Sequence, residues 1–397
     1  MEITDGRMTN DTTGNGGSHT TRRSVLRATT GAVAGLGATG LAAAESGDRL
    51  EVNVGFANER GRQAAVDAAT DVRREFAFDA LTMTVPEQAV SGLRRNPNVR
   101  YVEENGEMHA LEQTTPWGVD RVGAPTAHDA DETGEGAHIA ILDTGIDSTH
   151  EALQDVLGEG ESFTGCGGLT CFLGGNGNDC NESWDDDNDH GTHCAGTAVA
   201  PDDGVGVVGV STQATLHAVK VLDCLGSGSM SDIAAGIEYT ADQGWDVCSM
   251  SLGGGQSDAV SDAVSYAHER GVFLVAAAGN DGPCTDCVSY PAAEPEVVAV
   301  SATSEDDSLA SFSSTGPEIE LAAPGEDVYS TVAGGYDTFS GTSMACPHVA
   351  GAAGQLMANG YDHEAARDRL HESAEDIGLE ENEQGHGLLR VDDALDL

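Results

Sequence analysis

The stretch HIAILDTGID, His138–Asp147, decides the architecture. Ile139, Ala140, Ile141 and Leu142 follow one another without a polar break, and Asp143, Thr144 and Gly145 then end the run. A short segment apolar at successive positions suits a strand covered on both faces. Four more runs of this kind follow: LHAVKVL (216–222), DVCSMSL (246–252), VFLVAAAG (272–279) and EVVAVSAT (296–303). Helical patterns lie between them, among them SDIAAGIEYTADQG (231–244) and SDAVSYAHERG (261–271). This alternation predicts an α/β domain of three layers, α/β/α, around a central parallel sheet. In such sheets chemistry gathers at the carboxyl ends of the strands, where Asp143 stands.

Composition narrows the partners. The 397 residues hold 18 Lys+Arg against 67 Asp+Glu, a formal net charge of −49. From Thr114 onward the imbalance is 51 acids to 6 basic residues, and Lys220 is the only lysine in the chain. Nucleic acid and anionic membranes are excluded as partners, because the Coulomb interaction would be repulsive. A hydrophobic content of 39 % argues against a disordered acidic chain. Surface carboxylates would keep such a protein soluble in concentrated salt, where screening acts over about 3 Å at 1 M.

The ends of the chain read differently. Within residues 1–44, TRRSVLR (21–27) precedes a weakly apolar Ala/Gly segment that closes on Ala42-Ala43-Ala44. This order is similar to a twin-arginine (Tat) export signal, which implies passage through the Tat translocase and a secreted, extracellular product. Residues 48–113 form a small α+β module that holds much of the chain's arginine. RLEVNVGFA and FDALTMTVP alternate like strands. RGRQAAVDAATDVRREF and EQAVSGLRRNP read as helices, and NVRYVEENGEMHAL as a last strand and tail. The fall in basic charge at LEQTTP marks a boundary, with residues 114–397 as the main domain.

Three stretches carry the chemistry. AILDTGID holds Asp143, NDHGTHCAGT holds His190, and SGTSMACPH holds Ser343. Alone, each has an ordinary explanation as a cap or loop residue. Together, in this order, they resemble the Asp, His and Ser motifs of the subtilases, the subtilisin-like serine proteases. That chain order is a known signature of the group. The resemblance implies that His190 acts as base and then acid, that Asp143 orients the imidazole, and that Ser343 is the nucleophile. A helix starting at Ser343 would offer unpaired backbone N–H groups to an oxyanion. Pro347 is expected in the first turn of that helix, where a missing N–H costs little. By resemblance, Asn280 in VAAAGND supplies a second oxyanion donor. Gly226-Ser227-Gly228 and Ser251-Leu252-Gly253 match segments that pair with an extended peptide. Ala277, Ala278 and Gly279 would form one wall of a roomy apolar pocket.

The same resemblance extends to residues 48–113, which look like a subtilase propeptide, an inhibitor and folding chaperone removed near Leu111–Thr114 by self-cleavage. The acidity and the Tat-like leader make the chain similar to a halolysin. Protein or peptide substrates and a monomeric state are implied. A restricted processing protease and a peptide-binding pseudoprotease remain alternatives; acidic residues around the pocket would mark the former, and Asp281 beside Asn280 leaves that open.

Subtilases usually bind calcium. APDDGVGVVG offers Asp203 and the carbonyls of Val205 and Val207, whereas Ala152 occupies the place of an expected aspartate. NESWDDDND, before His190, is a second candidate because carboxylate oxygens suit Ca²⁺. Nine cysteines are an odd number, so at least one is unpaired or pairs between chains. Cys194 and Cys346 read as small buried residues, Cys284 and Cys287 as the ends of a small closed loop. Two of Cys166, Cys171 and Cys180 are expected to pair.

Overall fold

A computed structural model describes residues 49–105, 113–167 and 180–397. The Tat-like leader, the cleavage region before Gln113 and Cys171 lie outside the described residues. The chain divides into two compact units, Met1–Met108 and His109–Leu397.

In the first unit β1 (Arg49–Phe56), α1 (Glu59–Ala68), β2 (Asp71–Phe76), β3 (Ala80–Pro86), α2 (Glu87–Arg94) and β4 (Val99–Glu104) follow one another. The antiparallel sheet runs β2-β3-β1-β4. Val52, Val54, Leu81, Met83 and Val85 form its core with Ala65 and Leu93 from the helices. The long helix expected over residues 60–76 is overturned in its second half. Asn58 caps α1 by accepting from Arg60 and Gly61 N–H groups, and the helix stops at Ala68. DVRREF then pairs with β3 as an edge strand whose residues are almost all exposed. Without a buried face, that strand has no apolar alternation to reveal it.

The second unit opens with α3 (Trp117–Arg121) and α4 (Ala124–Asp129). Seven strands then form the predicted sheet: β5 (His138–Asp143), β6 (Glu161–Ser162), β7 (Thr215–Lys220), β8 (Val247–Met250), β9 (Phe273–Ala277), β10 (Val298–Thr303) and β11 (Ile319–Pro324). Their order is β11-β10-β9-β8-β5-β7-β6, and every pairing is parallel. Successive residues of one strand enter different cores. Ile139 and Ile141 pack in one, with α5 (His190–Val199), α8 (Thr342–Ala358) and α9 (His363–Ser373). Ala140 and Leu142 pack in the other, with α6 (Met230–Gln243) and α7 (Asp258–His268). The double burial explains the unbroken apolar runs. A hairpin of β12 (Val328–Val332) and β13 (Gly335–Phe339) leads into α8. Two short helices, α10 (Glu381–Gln384) and α11 (Val391–Ala394), follow α9.

Among the described residues no helix is long and apolar enough to cross a membrane. Cys166–Cys180 and Cys284–Cys287 are disulfides. Cys194, Cys248 and Cys346 are free and buried. Burial pushes the thiols of Cys194, Cys248 and Cys346 above the ordinary range, which keeps them protonated and unreactive.

Candidate active site

Parallel packing brings the three motif residues to one end of the sheet. Asp143 ends β5, His190 begins α5, and Ser343 is the second residue of α8. The His190 Nδ1 lies 2.7 Å from Asp143 Oδ1. Asp143 is fully buried, and its Oδ1 also accepts from Thr144 N–H at 2.7 Å. The imidazole is 28 % exposed, open toward the cleft. Burial pulls its pKa down, but the charge of Asp143, their hydrogen bond and the charge of Asp186 together raise it above the ordinary value. The imidazolium is therefore favoured next to a carboxylate placed to stabilise it.

Ser343 Oγ donates to the Ser251 carbonyl at 3.2 Å, while Ser251 Oγ donates back to the Ser343 carbonyl at 2.8 Å. This reciprocal pair follows from Pro347. The proline sits inside α8 beyond its first turn, contrary to the sequence expectation. Its missing N–H leaves the carbonyl four residues back, that of Ser343, without its helical partner. Ser251 Oγ and Cys194 Sγ, the latter at 3.4 Å, occupy that carbonyl instead. Proline thus fastens the serine turn to the segment after β8. In free enzymes such hydroxyls often rest on other acceptors, and the bond to the base tightens in the complex.

Asn280 is held by its oxygen, which accepts from Thr342 N–H at 2.9 Å and from Thr342 Oγ1 at 3.1 Å. Its Nδ2 is left free to donate. A Cβ placed on Gly341 would lie 3.5 Å from Asn280 Nδ2 and 3.6 Å from Ser343 N. The two donors therefore face one small space, and glycine keeps it empty. The backbone of Gly341 is extended and a Cβ there would meet only ordinary contacts, so the glycine serves to keep that space open rather than to satisfy the fold.

A cleft of about 460 Å³ runs from His190 between the two Gly-rich segments; Gly226, Ser227, Gly228, Ser251, Leu252 and Gly253 all line it. They are not equivalent. Gly226 N–H and the Ser227 carbonyl are bonded back to Asp223. Gly228, Leu252 and Gly253 make no backbone hydrogen bond among the described residues, which leaves their main chain for a ligand. Ala277, Ala278 and Gly279 stand at the end of β9, outside the lining of this cleft; Ala277 and Ala278 are buried in the two cores.

The aspartate run before His190 departs from expectation. Asp185, Asp186 and Asp187 are buried, and each is satisfied by protein donors rather than presented to a cation. Asp186 accepts from Thr144 Oγ1, Asn188 N, Asp189 N, and the N–H and hydroxyl of Thr192. Asp187 Oδ1 pairs at 2.7 Å with Lys220 Nζ, and both groups are buried. Lys220 lies opposite Asp143 in the β5–β7 register and also donates to the Thr144 carbonyl. These carboxylates brace the loop that delivers His190. A sequence of acids in an acidic protein gave no sign of that burial.

The other calcium candidate fits better. The carbonyls of Val205 and Val207 lie 3.1 and 3.0 Å from Gln113 Nε2, and the Pro201 carbonyl also accepts from it. Three carbonyls thus converge on one point. The Gln113 carboxamide oxygen accepts from Gly204 N–H at 2.8 Å, which fixes the amide with its nitrogen toward the three carbonyls. Asp203 adds a carboxylate, whose Oδ1 accepts from Val205 N at 2.9 Å. Hard oxygen donors of this kind suit Ca²⁺. Ala152 is buried and supplies no donor, so the set carries one carboxylate fewer than expected. Gln113 was missed from sequence; its bonds hold the start of the second unit to the 201–207 loop.

Residues 134–387 match the Subtilase family. Subtilisin E of Bacillus subtilis (strain 168) is 39 % identical over 327 residues, covering 81 % of this chain and 82 % of its own. An alkaline protease of Shouchella clausii is 39 % identical over 318 residues, covering 79 % and 78 %. A thermostable alkaline protease of Halalkalibacterium halodurans is 36 % identical over 356 residues, covering 88 % and 93 %. With the sheet order, the paired aspartate and histidine, and the serine at a helix start, these likenesses make the chain a member of the subtilase family and a serine endopeptidase.

Proposed function

We propose that this chain is the precursor of an exported endopeptidase that works in concentrated salt through Asp143, His190 and Ser343. The observation that carries the reading is the 2.7 Å His190–Asp143 contact beside two free donors, Ser343 N–H and Asn280 Nδ2, that face one space. His190 takes the Ser343 proton as Oγ attacks the peptide carbonyl, and Asp143 stabilises the resulting imidazolium. The carbonyl oxygen gains charge between the Ser343 N–H and Asn280 Nδ2. His190 then returns the proton to the leaving amine, and water repeats the sequence on the acyl group. Extended peptide adds as a strand to the free main chain of Gly228 and of Leu252-Gly253, which favours broad specificity. Ala277, Ala278 and Gly279 lie outside the lining of the cleft, so its room for an apolar residue before the cut bond rests on Leu222, Leu252 and Val260, which do line it.

The first unit is proposed as the enzyme's own inhibitor and chaperone. A groove formed by its sheet and the turn after β2 presents Phe78 and Tyr101 together with Arg73 and Arg74, chemistry suited to an acidic partner. Residues 1–44 act as the Tat-type leader, and the mature enzyme, starting near Gln113–Thr114, is an extracellular monomer. Calcium at Pro201, Asp203, Val205 and Val207 would be a structural clamp on the 201–207 loop, which Gln113 holds to the start of the mature chain.

The test is expression of the full chain in high salt, with casein as substrate. Wild-type chain is expected to shorten to a product beginning near Gln113–Thr114 and to degrade casein; Ser343→Ala is expected to remain full-length and inactive. Normal shortening of Ser343→Ala in a purified preparation would overturn self-processing.

A further inference from the structure

On the far side of the second unit, α7 ends at His268 and α9 begins at His363 and Glu364. One ligand atom from each of these three residues lies within 4.8 Å of the others. The two rings meet edge to face, with centroids 4.7 Å apart. Ring packing accounts for the contact but not for the nitrogens: Nδ1 and Nε2 of His363 are both buried and have no hydrogen-bond partner. His363 as a whole is half-buried, but both its nitrogens are withdrawn from solvent, and native structures seldom leave such atoms without a protein, water or metal partner. The site opens on a cavity of about 320 Å³, which Asp368, one turn beyond Glu364, also lines. Nearby cations do not quench it, since Arg367 is engaged by Glu320 and Arg270 lies over the Tyr266 ring.

We infer that His268, His363 and Glu364 form a binding site for a divalent transition cation of the zinc class, joining α7 to α9. Two imidazoles and one carboxylate suit Zn²⁺, whereas calcium and magnesium prefer all-oxygen sets. Zinc takes such ligands at about 2.0–2.2 Å, so a shared ion holds its ligand atoms about 3–4 Å apart, a spacing compatible with atoms that lie within 4.8 Å of one another. Three protein ligands leave a fourth position open to the cavity, for water or Asp368. The acidic surroundings draw a cation inward and tolerate its charge. The site adjoins the first residues of β9 and β10, Phe273 and Val298, the opposite end of the strands from Asp143, and does not depend on the proteolytic reading.

The experiment uses the full chain carrying Ser343→Ala, freed of metal with chelator and then titrated with ZnCl₂ in high salt and excess calcium to saturate surface carboxylates. Binding of one Zn²⁺ per chain is expected, with a rise in melting temperature. His268→Ala and His363→Ala should each weaken binding by about 100-fold, and Glu364→Gln by about 10-fold. Circular dichroism shows whether each variant is folded, and exposed Glu364 serves if a histidine variant is not. Co²⁺ should give the intense visible absorption of a four-coordinate site in the parent and not in the variants. Absence of stoichiometric binding would overturn the inference. Equal binding by the parent, His268→Ala and Glu364→Gln would also overturn it, and would place the metal elsewhere.

Discussion

The helices that carry His190 and Ser343 are both built of small residues, yet their approaches differ. The loop into α5 is dense with buried carboxylates: Asp185, Asp186 and Asp187 lie beneath the histidine, with one lysine, Lys220, locked to them. Among the described residues the approach to α8 holds no buried charge; Asp281, Asp327 and Asp337 nearby are exposed. Asn280, Thr342 and Ser251 fix this approach through neutral hydrogen bonds. Under the proposed mechanism, negative charge thus stands where an imidazolium would form, and bare N–H groups stand where an oxyanion would form. Carboxylates near Gly341 would oppose the second charge as firmly as they assist the first. An overall acidic chain has kept buried carboxylates from this place and leaves the nearby acids, Asp281 among them, exposed to solvent.

This contrast can be broken from either side. Ser343→Ala should give the largest effect, a fall in kcat of about 10⁶, read in casein or peptide hydrolysis by material whose first unit has been removed in trans. Asp143→Asn should cost about 10⁴ in kcat through a misplaced tautomer. It also removes the charge that raises His190. Activity requires the neutral imidazole, so turnover falls as pH drops through the His190 value, and Asp143→Asn should move that acid limb to lower pH in a pH–rate profile. Lys220→Met leaves Asp187 buried without its cation, and should lower the unfolding free energy by about 3–5 kcal/mol in a denaturant titration of the inactive chain. Adding Asp187→Asn should recover part of the loss. On the neutral side, Asn280→Ala should reduce kcat by about 10²–10³ with little change in KM, because its amide acts on the transition state.

Each helix also buries a second, neutral histidine. Burial holds His193 in α5 and His348 in α8 down to about 4. The unfolded chain would protonate them near 6.5. Their stabilising contribution is therefore whole above that pH and is lost as pH falls toward 4. Each is worth up to about 3 kcal/mol. Melting curves of Ser343→Ala should decline over that interval, and His193→Gln should flatten the decline.

How much was legible follows from what burial does to a sequence. The five strands of HIAILDT type are readable because both faces are covered, and that places Asp143 at a strand's carboxyl end; His190 and Ser343 join it through their own motifs and the resemblance these carry. β2 is not, since DVRREF faces solvent and bears no pattern. The aspartates at 185–187 were read as a cation site because charge composition says nothing of burial; Thr144, Thr192 and Lys220, their partners, are distant in the chain. Pro347 was placed too early in its helix because helix starts are set by caps, and Gly341 provides none from its side chain. Gln113 stood unnoticed at a presumed boundary, although its amide gathers three carbonyls from one loop. His268 and His363 lie 95 positions apart in sequence, with no spacing to join them.

The central claim, that Ser343 is activated by His190 beside a neutral donor pair, is tested most directly by labelling. Active enzyme treated with a peptidyl phosphonate and then digested should show one adduct, on Ser343, with hydrolysis lost in proportion to its occupancy. Undiminished hydrolysis after full treatment, or an adduct confined to another residue, would contradict it.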